Sequence, residues 1–154
     1  MYWKTIKDVQ LINLQKCLVK LKRKYIVSPW IEDIVNKNKN KKFKKNKIVT
    51  LHKVSVKELG FKKPTKLKTI YSKLKTKGYS TVPFEYAIYC RFIYDEQPTG
   101  EWLRIAVPFS SMIDSDGVPH LPKLGKGLGK FFIETYWSYP GAIFHPNNEF
   151  IVKK

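Results

Sequence analysis

The chain has 154 residues, 43% of them hydrophobic and 14% aromatic, and a net charge of +18. That is enough apolar material for one domain with a buried core, and too much for a wholly disordered chain. No apolar run approaches the roughly 20 residues that span a bilayer, and the N-terminal Met-Tyr-Trp-Lys-Thr-Ile-Lys-Asp lacks the apolar block of a secretory signal. The expectation is an intracellular, non-secreted protein with no membrane partner.

The charge is unevenly placed. Residues 1–83 hold a net +19, and residues 84–154 a net −1. Such asymmetry points to a polyanion-facing arm or face joined to an ordinary folded part. Three of the thirty basic residues are arginine. This Lys bias, with Asn and Ile alongside, is what an AT-rich genome produces, whether of a bacteriophage, an organelle or a bacterium. Ammonium groups act as point charges and lack the planar fork that reads guanine, so contact with phosphate is favoured over base readout.

In chain order, Leu11, Leu14, Leu18, Leu21 and Tyr25 repeat at helical spacing and predict a long amphipathic helix over 5–25. Cys17 lies on it. With Cys90 it makes two cysteines, too few for a disulfide framework or a thiolate zinc site. Ser28-Pro29 followed by Glu32 and Asp33 predicts a second helix start. Residues 36–47 hold seven Lys, four Asn and Phe43, a composition expected to form a mobile loop. Ile48 to Leu51 reads as a short strand.

Ser55 and Glu58 form a capping box for a short helix that Gly60 ends. Thr65 is the expected N-cap of the next helix, whose Leu67, Ile70, Tyr71 and Leu74 share one apolar face and which Gly78 stops. Lysines coat the rest of that cylinder. Candidate nucleic-acid-binding residues are therefore Lys39, Lys41, Lys42, Lys44 and Lys45 of the loop, with Lys62, Lys63, Lys66, Lys68, Lys73, Lys75 and Lys77 of the helical region.

From Pro83 the period changes to two. Residues 84–94 and 101–109 predict an antiparallel hairpin across which Arg91 and Arg104 approach each other. Residues 110–122 read as loop with a turn at Asp116-Gly117, and the Gly-rich 123–130 as a flexible connection. Strands follow at 131–137, 142–144 and 149–152. The fold class is α+β: basic helices in 1–83 with their loop at 36–47, then a mainly antiparallel sheet in 84–154 packed on them as one domain.

The order of helix 5–25, strand 48–51, helix 56–59, helix 66–77 and hairpin 84–109, with the phrase Val-Lys-Glu-Leu-Gly-Phe, resembles the winged helix-turn-helix superfamily over residues 48–109. The resemblance implies that 66–77 is a recognition helix for the major groove and the hairpin a wing.

Other motifs carry less. Leu124-Gly-Lys-Gly-Leu-Gly-Lys-Phe131 lacks the first Gly and the closing hydroxyl of a P-loop. Asp114-Ser-Asp116-Gly117 lacks the distal Glu of an EF-hand. No cofactor or metal is expected. The preferred function is sequence-independent, non-enzymatic binding of DNA or RNA. One alternative is a structural component of a virion or ribosome whose aromatic sheet is a protein interface. Another is a small metal-independent ribonuclease drawing on His120, Glu134, His145 and Arg91, with Arg104 nearby.

Overall fold

The structure is a computed structural model describing residues 1–11 and 13–154. Its frame is a seven-stranded mixed sheet in the order β1-β3-β9-β5-β6-β7-β2. The strands are β1 (Tyr2–Ile6), β2 (Ile26–Val27), β3 (Val49–Ser55), β5 (Trp102–Ile105), β6 (His120–Gly127), β7 (Lys130–Trp137) and β9 (Glu149–Lys153). Four neighbouring pairs are antiparallel, while β5–β9 and β2–β7 are parallel. A two-stranded ribbon joins β4 (Thr65–Lys66) to β8 (Ile143–Phe144). The helices are α1 (Leu14–Lys24), α2 (Pro29–Lys37), α3 (Leu67–Thr76) and α4 (Phe84–Tyr89). The fold is α+β, but its sheet is larger and more mixed than expected, and draws strands from both halves of the chain.

The expected helix over 5–25 is shorter. Residues 2–6 are an edge strand on β3, Asp8 takes a positive φ of 55°, and α1 begins after Asn13, whose side chain accepts from the Lys16 amide at 3.0 Å. Ile12, inside that expected helix, lies outside the described residues. The second start is as read: the Ser28 hydroxyl caps α2 by accepting from the Trp30 amide.

The capping box forms, with the Glu58 amide donating to Ser55 and the Ser55 amide to Glu58. It closes a single 3₁₀ turn at 57–59 that Gly60 ends at φ 97°. The N-cap of α3 is Lys66 rather than Thr65, which sits in β4 and donates its hydroxyl to the Lys63 carbonyl. The α3 face is as spaced: Leu67, Ile70 and Leu74 are buried, and the Tyr71 hydroxyl donates to the Val107 carbonyl.

The largest correction concerns 84–94. These residues form α4 and a 3₁₀ turn at 90–93, not a strand. Phe84, Tyr86, Ala87, Ile88 and Cys90 are all buried. A segment buried on every side shows no alternation to separate strand from helix. The first strand of the expected wing is thus a helix, and β5 pairs with β6 and β9 instead. The Gly-rich stretch is a second correction. It is the end of β6 and a two-residue turn, Leu128-Gly129, with φ of 51° and 74°. Two positive φ values mark the type I′ turn, whose twist matches the flanking strands.

Side-chain alternation along the sheet separates its two faces. Leu124, Ile133 and Phe131 point to the face where Tyr25, the C-cap of α1, packs with Phe92 and Arg91. Phe150, Arg104 and Tyr136 point to the other face, where Phe144 of the small ribbon meets all three and α3 follows the ribbon. The core is therefore two-sided: α1, α2 and α4 cover one face, and α3 with the ribbon covers part of the other.

Candidate nucleic-acid interface

Eleven of the twelve candidate lysines are exposed, and Lys73 is half-buried. Of these twelve, only Lys41 has a carboxylate within 4 Å among the described residues, Glu85 at 3.9 Å. Five of the twelve acids pair with other lysines: Glu96 with Lys4, Glu32 with Lys22, Asp95 with Lys24, and Glu101 and Glu149 with Lys53. The two lysine blocks are consequently not neutralised by the fold.

Phe43 sets the position of the first block. Its ring is buried, edge-on to Tyr86 at 5.4 Å and close to Tyr89 at 5.8 Å. Backbone bonds from Leu14 to Lys41 and from Gln15 to Lys39 hold the same stretch against the start of α1. The segment expected to be mobile is thus pinned at its middle, with the lysines on either side of Phe43 facing outward. The second block lies on and before α3. Tyr86 and Tyr89 pack with the α1 side of the sheet and α3 packs on the other, so the two blocks are anchored on opposite faces of the sheet.

Three residues that sequence reasoning does not single out as a site gather beside the second block. Trp102 of β5, Lys123 of β6 and Tyr136 of β7 lie with Arg104 on the part of the sheet face that α3 leaves open. The Lys123 ammonium is 4.4 Å from the Trp102 ring centre and 5.8 Å from that of Tyr136. Arg104 and Lys123 are directly opposite each other across β5 and β6. Burial pushes both cations below their ordinary pKa values, and Lys123 is pushed further by Arg104. The sequence holds one signal of the cluster, Trp102 and Arg104 at alternate positions of a strand. It pairs that strand with 84–94, which is helical, so the cluster is not legible from the sequence.

The ribonuclease set does not converge. His120 is 1% exposed, and both ring nitrogens are taken, Nε2 by Asp114 at 2.8 Å and Nδ1 by Thr135 at 2.9 Å. An ionised Asp114 can only accept, which makes Nε2 the donor of that bond. Asp114 Oδ1 also accepts the amides of Asp116 and Val118, so this carboxylate ties the 114–118 turn to the start of β6. The same bonds occupy the acid that calcium would need, and no group of metal-binding side chains occurs among the described residues.

Arg91 lies on the His120 face but five residues along the paired strands, roughly 17 Å at strand rise. It is fully buried and donates to Gln97 and to the carbonyls of Gly125, Phe132 and Tyr94. Glu134 alternates to the opposite face from Thr135. His145 is exposed in a turn bonded to Val56 and Lys57. Arg91 and Arg104 likewise point to opposite faces.

Both cysteines are buried, and burial pushes the Cys17 thiol up to about 12, which removes thiolate chemistry near neutral pH. No described helix is long and apolar enough to cross a membrane. Comparison with known proteins shows no matching family model, no significantly similar curated protein and no significantly similar solved structure.

Proposed function

We propose that the protein binds nucleic acid through phosphate contacts from its lysines, largely without regard to sequence. One observation carries the reading: eleven of twelve lysines in the two blocks are exposed, and one of the twelve has a carboxylate within reach. Clustered like charges repel one another and weaken the compact state, a cost that a polyanion removes. Lysine supplies charge without a base-reading fork, which fits backbone contact.

The test is anisotropy titration of unrelated duplex and single-stranded oligonucleotides over a range of salt. Log affinity should fall linearly with log salt, with a slope near −0.9 per phosphate neutralised on duplex DNA. Replacing Lys68, Lys75 and Lys77 together by Gln should make that slope shallower by about 0.9 for each phosphate no longer neutralised. Absence of binding in dilute buffer would overturn the reading.

A second reading has its own observation. Trp30, Trp137 and Tyr139 are 53%, 64% and 46% exposed. Large aromatic rings left in water are the chemistry of a protein interface, as in a component of a larger assembly.

A further inference from the structure

The open strip of the sheet holds two cations with no carboxylate in ion-pair range among the described residues. Arg104 and Lys123 are opposed across β5 and β6, a placement that is destabilising for like charges. Neither has a carboxylate within 4 Å among the described residues, and Arg104 Nε is buried with no hydrogen-bond partner. A guanidinium carries five donors. Here it lies between aromatic rings, 5.6 Å from the Tyr136 centre and 5.8 Å from that of Phe144, which stack on it but accept little. An unpaired, partly desolvated charge costs free energy that an anion relieves.

The surroundings add a second chemistry. Trp102 and Tyr136 flank the pair and keep 38% and 36% of their surface exposed. Gly125, opposite Trp102, gives the indole its place on the sheet. One acid, Glu134, faces the strip, as the cross-strand neighbour of Lys123. At the rim, Lys66 pairs with Ile143, and the adjacent Phe144 ring lies 5.1 Å from Tyr136, so the lysines at the start of α3 border the strip. Partly exposed aromatic rings interleaved with cations, edged by more lysine, match a chain of unstacked bases on a phosphate backbone. A duplex keeps its bases stacked on one another and has none to offer.

We propose that this strip is a single-strand binding site, with a phosphate held by Arg104 and Lys123 and neighbouring bases stacked on Trp102 and Tyr136. The proposal rests on the polyanion reading and narrows it to one surface and one form of nucleic acid.

The experiment compares a dT oligomer, an rU oligomer and a duplex of equal length on the full chain and its variants. Trp102→Ala and Arg104→Gln should each weaken the dT or the rU oligomer about tenfold, as loss of one stacking platform or one phosphate contact does. Trp102→Phe, which keeps a π-face, should stay within about threefold of the parent. Duplex affinity should change little in all three. Lys123→Gln, a partly exposed change, supplies the same readout should Arg104→Gln fail to fold. Single-strand affinity unchanged by Trp102→Ala and Lys123→Gln, yet lowered by the α3 lysine variant, would overturn the strip and leave the lysine reading standing. No binding of any oligomer by the parent chain would overturn both.

Discussion

The indole of Trp102 occupies the space that a side chain at Gly125 would need: a Cβ built there meets the ring at 2.3 Å. The two residues are register partners across β5 and β6. Gly125→Ala should therefore push the indole off the sheet. Since Trp102 is partly exposed and can swing outward, the loss of stability should be about 1–2 kcal/mol, at the low end for overpacking. Near-UV circular dichroism and urea unfolding check this. Gly127→Ala is the control, because its Cβ meets Phe132 at an ordinary 3.8 Å.

Arg91 ties the 94–97 turn, which lies outside the strands, to the paired strands β6 and β7. Its four bonds join the 94–97 turn to the backbones of β6 and β7, and Gln97 adds a bond to the Leu124 carbonyl. Arg91→Ala leaves several buried acceptors without donors, each costing about 1–3 kcal/mol. The expected loss is about 3 kcal/mol or more, a large fraction of a typical domain's stability. Arg91→Lys should fail to rescue it, since one ammonium cannot reproduce the fork. Denaturant titration of both variants decides the matter.

Asp114 contributes to the acid limb of stability, as do Asp33, Asp95 and Glu96, whose carboxyls are also held below their ordinary range. The bond from His120, then the Val118 amide, hold its carboxyl below the ordinary aspartate range. The folded state therefore keeps this group ionised to lower pH than the unfolded chain does. Its contribution is complete above about pH 4 and is lost as pH falls through the depressed value. Asp114→Asn should lower stability at neutral pH and flatten the fall below about pH 4. Unfolding midpoints measured across that range test it. Midpoints that fall as steeply in the variant as in the parent would show that other carboxyls govern the limb.

Leu128 sits at the tip of the β6–β7 turn with φ 51° and 97% of its surface exposed. A leucine in the left-handed region costs roughly 1–2 kcal/mol, and its apolar side chain gains nothing from water. Leu128→Asn places the residue type that type I′ turns favour. Stability should rise by about 1 kcal/mol, with the melting temperature up by roughly 2–4 °C for a chain of this size. An unchanged or lower melting temperature would mean that the exposed leucine is supported by something other than the turn.

The features that the sequence exposed are those with a local cause. Ser28 before Pro29, the reciprocal Ser55–Glu58 bonds, Gly60 and the Leu67-Ile70-Leu74 face each depend on residues within about two turns of one another, and each formed. The charge blocks were equally plain, because exposed lysine needs no partner to be read.

Distant contacts decided the rest. Residues 2–6 became a strand because β3 offered an edge, and 84–94 a helix because burial all round erased the alternation that separates the two periods. Phe43 ordered a lysine-rich stretch through rings more than forty residues away. The sequence therefore established how much positive charge is in excess and where along the chain it lies. The sheet order, joining β5 to β6 and β9, decided which cations share a surface: it anchored the lysine blocks on opposite faces and brought Arg104 against Lys123, since side-chain neighbours across strands depend on register and not on spacing in the chain.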